Sequence, residues 1–285
     1  MLLGVVTVRP FDLNDLEAAA RFCEAARALD ASIEPFAQRL GVLATGTRAP
    51  LEAWRVAEGE DGALYGIGFL AARNGTTFDV YSAVQPALRR QGLGRALCEG
   101  ALDSGAGLRA RVRDDAVAGR AFLKALGFSE TGAQLALQWR ARGVAAIEMP
   151  ALRLRRALPK DEPVLQRLSR EAWTGAPDTF ATRPDEIAQL FGDDDRVVWL
   201  AESEGKPMAY LSGVRLGKIL GIEEVAVLPA YRRMGIGRAL LARVLSSGQG
   251  AVLSVAESNK PARALYRSFG FTLSARRLIY ELKRS

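Results

Sequence analysis

Residues 83–97, from Ala83-Val84-Gln85-Pro86 to Gly94-Arg95-Ala96-Leu97, return as residues 226–240, from Ala226-Val227-Leu228-Pro229 to Gly237-Arg238-Ala239-Leu240, 143 positions later. Leu126-Gly127-Phe128 and Phe269-Gly270-Phe271 keep that displacement, while the stretches 6–9 and 152–155 match at about 146. Self-similarity at a fixed distance marks a duplicated structural unit. A chain of 285 residues has room for two domains of ordinary size. The repeat therefore makes them two copies of one domain, expected at 1–145 and 150–285 with 140–150 as the linker.

Both copies read in the same order. An alternating strand (5–9; 152–156) precedes an amphipathic helix (13–29; 163–173), which Asp12 or Asn14 caps in the first copy. Three strand-like runs follow, at 52–57, 63–71 and 76–84, and again at 196–202, 207–216 and 219–227. Asp61-Gly62 and Glu204-Gly205-Lys206 precede the second run of each set and read as hairpin turns. A helix, a short strand (108–112; 251–255), a second helix and a closing strand pair complete each copy.

In each copy Arg-x-x-Gly-x-Gly stands directly after a strand and directly before a helix, as Arg89, Gly92 and Gly94, then as Arg232, Gly235 and Gly237. The first amides of a helix lack intrahelical acceptors and lie at the positive end of its dipole. Glycine permits φ > 0 turns and leaves no Cβ between backbone and ligand. Such a loop is an anion cradle suited to a pyrophosphate. The candidate binding residues are Arg89, Arg90, Gln91, Gly92, Leu93 and Gly94, with Val84 ahead of them, and Arg232, Arg233, Met234, Gly235, Ile236, Gly237 and Arg238. The loop is not a Walker A sequence, and Leu97 and Leu240 stand where a Rossmann fingerprint needs its third glycine.

Together with a second motif, these loops resemble those of the GNAT superfamily of N-acetyltransferases, and the resemblance covers both halves. That family carries Q/R-x-x-G-x-G/A after its fourth strand, usually preceded by V-x-P, to bind the pyrophosphate of acetyl-CoA. On the following helix it carries N-x-x-A-x-x-L-Y-x-x-x-G-F, which stands here as Asn259, Ala262, Leu265, Tyr266, Gly270 and Phe271. The resemblance implies an α/β fold of two tandem GNAT acetyltransferase domains, each a mixed, mostly antiparallel sheet flanked by helices. It implies acetyl-CoA as co-substrate, with pantetheine on the backbone near Val225 and Val227, Asn259 beside the cofactor arm and Tyr266 near the thioester sulfur as general acid. The tandem layout resembles that of mycothiol synthases. In the first copy, Ala116 and Leu123 stand at the positions of Asn259 and Tyr266. Leucine donates no proton, so the first copy is expected to keep a cofactor-shaped loop without the chemistry.

Histidine is absent from the chain, which removes the Ser-His-Asp triad, the Cys-His pair and every imidazole metal site. An alkylamine with a pKa of about 10.4 is protonated at neutral pH, and exposing its lone pair costs about 4 to 5 kcal/mol. A carboxylate or a water must take that proton. Glu223 and Glu224, in the expected fourth strand of the second copy, are the candidates, and strand alternation sets them on opposite faces. The family pattern of a glutamate four residues before the Val of V-x-P favours Glu223, a choice that a bulge in this strand would invert. At the displacement of 143 the first copy has Val80 and Tyr81.

Other conspicuous residues carry structural readings. Cys23 and Cys98 fall in expected helices, do not match between copies, and read as core thiols. Asp193, Asp194 and Asp195 follow Gly192 at a helix-to-strand turn and read as solvated loop; no metal is expected. Trp54, Trp139, Trp173 and Trp199 read as packing residues. The net charge of +7 divides into +1 on residues 1–143 and +6 on 144–285, with Arg276, Arg277, Lys283 and Arg284 contributing to the second. No basic run is interleaved with aromatics, so nucleic acid is not an expected partner. No apolar run approaches the roughly 18 residues of a membrane span, and no basic segment precedes the apolar start, so a cytoplasmic protein is expected. The leading function is acetyl transfer to a primary amine of a small molecule in the second domain; the alternative is a non-catalytic acyl-CoA sensor or interaction protein.

Overall fold

The computed structural model describes residues 5–31, 33, 40, 50–74, 77–141, 143–174, 184–192, 194–246 and 248–283. The first copy runs β1 (Val6–Pro10), α1 (Leu16–Leu29), β2 (Arg55–Gly59), β3 (Leu64–Asn74), β4 (Thr77–Val84), α2 (Leu93–Asp103), β5 (Gly107–Arg113), α3 (Val117–Ala125) and β6 (Ser129–Arg140). The second runs β7 (Arg153–Arg156), α4 (Glu162–Trp173), α5 (Pro184–Ala188), β8 (Arg196–Ser203), β9 (Lys206–Leu216), β10 (Ile219–Val227), α6 (Ile236–Leu245), β11 (Gly250–Ala256), α7 (Lys260–Ser268) and β12 (Thr272–Leu282). These elements form two compact α/β units, Met1–Ala133 with Arg276–Ser285, and Gln134–Ala275. The units therefore exchange their closing strands relative to the repeat. Residues of β12 from Arg277 onward pair antiparallel with β5 in the first unit, and residues of β6 from Gln134 onward pair antiparallel with β11 in the second.

The first unit orders its strands β1-β2-β3-β4-β5-β12, antiparallel except for β4 beside β5. Helix α1 buries Ala19, Phe22, Cys23 and Ala26, an i, i+3, i+4, i+7 stripe, against one face of the sheet. Asp12 caps the turn before it: Asn14 N donates to Asp12 Oδ1 and Asp12 N to Asp15 Oδ2, each at 2.8 Å. Trp54 lies fully buried on that face, 5.1 Å from the Phe11 ring and 4.8 Å from Phe69, and satisfies its indole N–H on Leu70 O at 3.0 Å. Helices α2 and α3 cover the other face with Cys98, Ala101 and Leu123. A Cβ on Gly68 would lie 2.2 Å from Leu97 O, so only glycine lets α2 approach β3 this closely.

The second unit orders its strands β6-β11-β10-β9-β8-β7, again antiparallel except for β10 beside β11. Leu165, Leu168, Ser169 and Ala172 of α4 are buried on one face, and α6 contributes Leu240, Leu241, Val244 and Leu245 to the other. Each first helix is anchored alike. Arg155 grips Asp161 through two hydrogen bonds of 2.7 and 2.9 Å and reaches Glu202 at 3.2 Å, as Arg9 grips Asp15 at 2.8 Å twice and Glu58 at 2.6 Å. The Arg155 guanidinium holds the Asp161 carboxyl down at about 2, and Arg9 lowers Asp15 in the same way.

Candidate active site

The parallel strands of each unit part before they end. Pairing of β4 with β5 runs from Thr77 opposite Gly107 to Val80 opposite Ala110, and that of β10 with β11 from Ile219 opposite Gly250 to Ile222 opposite Leu253. Beyond those points the strands diverge into a wedge that leads to the glycine loop. Both loops are wound alike: Arg90 (φ 68°) with Gly92 (φ 85°), and Arg233 (φ 65°) with Gly235 (φ 85°), occupy the left-handed region. Alternating hands turn successive N–H groups toward one concavity, an anion nest, at a strain of roughly 1–3 kcal/mol for each non-glycine residue. In the second unit the first helical bond runs from Ala239 N to Gly235 O at 2.9 Å, so Ile236, Gly237 and Arg238 present amides without helical acceptors. A Cβ on Gly92 would meet nothing within 4 Å, and one on Gly235 only the Met149 thioether at 3.7 Å. The space in front of each loop is open to a ligand, and its donor set fits a pyrophosphate.

The side chains of the loops divide their labour differently from expectation. Arg232 is a structural tie: its Nε donates to Val227 O at 3.2 Å and its terminal nitrogen to Ala172 O at 2.6 Å. Arg89 matches it with Val84 O at 3.4 Å and an ion pair to Asp30 at 2.7 Å. Arg238 is drawn to Ser268 Oγ at 2.8 Å and over the Phe269 ring at 5.0 Å. Arg233, like Arg90, stays exposed at the cradle rim. Ile236 is buried, contributing an amide to the loop and a side chain to the core, whereas Met234 is exposed. Gln91 is exposed and Leu93 half-buried in the first loop. Leu228 N donates to Met208 O at 3.0 Å, so the peptide groups of Val225 and Val227 turn to the opposite edge of β10, into the wedge.

A bulge sets the two glutamates in different surroundings. Ile222 pairs with Gly213 and Glu224 with Ser212, so Glu223 is the unpaired extra residue of β10. The register beside β11 says the same: Val80 opposite Ala110 corresponds to Ile222 opposite Leu253, and Glu223 has no counterpart in the first unit. Aligning Val80 with Glu223 at a constant displacement of 143 is thereby corrected, whereas Tyr81 does correspond to Glu224. The bulged Glu223 turns outward, its side chain 43% exposed and bound by Arg196 at 2.6 Å. Glu224 turns inward and is 9% exposed. Ser169 Oγ donates to its Oε1 at 3.2 Å, Trp173 Nε1 donates to the same oxygen, and Tyr210 OH donates to Oε2. Trp173 is therefore a ligand of the carboxylate as well as a packing residue. The sequence offered one unused signal for this pocket: Ser169 and Trp173 stand four residues apart on α4, on the buried side of an otherwise apolar stripe.

Tyr266 lies on the other side of β10. It is 7% exposed in the cluster that also holds Val225 and Val227, tilted against Phe271 at 5.6 Å. Burial pushes its phenol up to about 12, so it keeps its proton throughout the neutral range. Asn259 caps α7, its Oδ1 accepting from Ala262 N at 3.1 Å, a bond that Ala116 does not supply to α3. Such a cap is worth about 1 kcal/mol. In the first unit Leu123 fills the Tyr266 position, and Tyr81 accepts a 2.8 Å hydrogen bond from Arg111 where Glu224 would stand.

The wedge of the first unit opens into a cavity of about 460 Å3 that reaches from Arg90, Gly92 and Gly94 to Leu108 and Phe128. Cys98 borders it; burial pushes this thiol up to about 11 and that of Cys23 up to about 12, so both are inert at neutral pH. Asp193 and Arg284 lie outside the described residues, and among those described no group of three or more His, Cys, Asp or Glu could hold a metal ion. No helix of the described residues is long and apolar enough to cross a membrane.

A wedge between two parallel strands, closed at one end by a helix start shaped for an anion and flanked by a buried carboxylate and a buried phenol, is the arrangement that the resemblance to acyl-CoA-dependent transferases implies. Residues 164–271 match the model of the acetyltransferase (GNAT) family. The chain is 31% identical over 264 residues to a mycothiol acetyltransferase of Clavibacter michiganensis, covering 85% of this chain and 83% of that one. A GCN5-related N-acetyltransferase of Sphaerobacter thermophilus superposes with a TM-score of 0.77 at 20% identity, covering 97% of this chain and 95% of the other. A tandem GNAT protein from the clavulanic acid biosynthesis pathway gives 0.73 at 19%, with 99% and 100% covered. The chain belongs to the GNAT family of acetyltransferases and is an acetyl-CoA-dependent N-acetyltransferase.

Proposed function

We propose that the second unit transfers the acetyl group to a primary amine of a small molecule by direct attack in a ternary complex, with Glu224 receiving the amine proton and Tyr266 facing the leaving sulfur. The observation that carries this reading is the pairing of a buried carboxylate and a buried protonated phenol on opposite faces of one strand, at the point where the strands part. Acetyl-CoA supplies the acetyl group as an activated thioester. The amides of Ile236, Gly237 and Arg238, with Arg233 at the rim, receive its pyrophosphate, and the peptide groups of Val225 together with the N–H of Val227 receive its pantetheine. Three donors fix the Glu224 carboxylate from the α4 side, where an ammonium group would dock and lose its proton directly or through one water. The phenol of Tyr266 donates a hydrogen bond as negative charge grows on sulfur. Asn259 acts first as the cap that sets α7.

The first unit keeps the cradle and lacks both reacting groups, so it binds a CoA thioester without turning it over. The name of the Clavibacter relative puts mycothiol-related amines first among the acceptors to test. Release of free thiol from acetyl-CoA, followed over a panel of primary amines, is expected to depend on the amine. Binding of acetyl-CoA with no amine-dependent release would favour a sensor instead.

A further inference from the structure

The two units bury matching positions with side chains of different size. Around the wedge of the second unit stand Ile222, Leu241, Val244, Leu253 and Tyr266, all buried in one cluster. The first unit has Val80, Cys98, Ala101, Ala110 and Leu123 in their places, smaller in all five cases. Leu108 against Ala251 and Phe122 against Leu265 run the other way and leave the balance on the side of loss. The smaller side chains widen the wedge into the cavity of about 460 Å3, within the range of small-molecule sites. It begins at the charged loop and ends among Val80, Cys98, Ala101, Leu108 and Phe128, an apolar floor of low exposure. A polar mouth continuous with an apolar end fits one ligand that is anionic at one end and alkyl at the other.

We infer that the first unit is a receptor for a CoA thioester carrying a medium-length alkyl acyl chain, whose tail fills the hollow beneath β4. This rests on the reading of its loop as a CoA cradle, and adds the class of acyl group. The chain is held and not transferred: no carboxylate stands where Glu224 does, Tyr81 is engaged by Arg111, and the Cys98 thiol stays protonated.

The test uses the full chain carrying Gly237→Glu, which sets a carboxylate in the second cradle at a helical position whose Cβ has ordinary contacts of 3.6 Å and beyond. Calorimetric titration with CoA, acetyl-CoA, butanoyl-CoA and hexanoyl-CoA is expected to show one site. The dissociation constant should fall about fourfold per added methylene, the equivalent of about 0.8 kcal/mol each. Adding Ala110→Leu, the residue of the second unit, should flatten the series. Cys98→Leu is the parallel variant, and thermal unfolding checks that each is folded. Equal binding of CoA and all acyl-CoAs would overturn the acyl assignment while leaving the cradle intact. A chain-length dependence that survives both fillings would overturn it too. No binding of any CoA species would overturn the cradle reading together with the inference built on it.

Discussion

The two units share a strand order, an arginine-gripped first helix and a strained glycine loop, and they part where chemistry would occur. The second carries one extra residue in β10, a carboxylate held by three donors, a phenol at the wedge and larger buried side chains around it. The first has an unbroken β3–β4 register at that point, an arginine-bound tyrosine, a leucine and a hollow. The loop-and-wedge scaffold thus occurs both with and without the buried carboxylate and phenol. Loop strain, helix start and wedge persist in both units, whether or not a carboxylate and a phenol stand beside them.

The contrast breaks most sharply at the cradles. Gly237→Glu opposes a phosphate with a carboxylate, and like charges facing each other cost several kcal/mol, so kcat/KM for acetyl-CoA should fall roughly 10²–10³-fold. Gly94→Glu in the first unit should change it less than threefold; comparable losses from both variants in steady-state thiol release would mean that turnover involves both units. Next in size is Tyr266→Phe. Loss of a positioned donor lowers kcat by about 10², with acetyl-CoA affinity, measured by calorimetry, unchanged within a factor of two. A kcat within twofold of the parent would reduce Tyr266 to packing.

Smaller again is the pH dependence of the helix anchor. The Asp161 carboxyl lies at about 2 in the folded chain against an ordinary value of 3.8, so its contribution is complete above about pH 4 and disappears as pH falls toward 2. Asp161→Asn should therefore cost about 2 kcal/mol at pH 7. That cost should shrink between pH 4 and 2 in denaturant unfolding; a constant cost across this window would show that the ion pair with Arg155 is not its source.

The sequence shows plainly what is local. The loops and the caps depend on residues within a few positions of one another, and the constant displacement of the repeat gave Ala116 and Leu123 as the replacements of Asn259 and Tyr266. Three features escape it for physical reasons. Exchange of the closing strands rests on pairings more than a hundred residues apart, between segments whose alternating patterns are alike. The bulge cannot be read from two adjacent glutamates, since either satisfies the alternation until β9 fixes the register. The ties of Arg232 to Val227 O and Ala172 O arise from tertiary packing, which the loop motif does not reveal.

The central claim is that the bulge makes Glu224, and not Glu223, the proton acceptor. Parallel measurement of kcat/KM for Glu224→Gln and Glu223→Gln with a reactive amine tests it most directly. A roughly 10²–10⁴-fold loss is expected for the first, and less than a threefold change for the solvent-facing second. Equal losses in the two variants, or the larger loss in Glu223→Gln, would contradict the assignment.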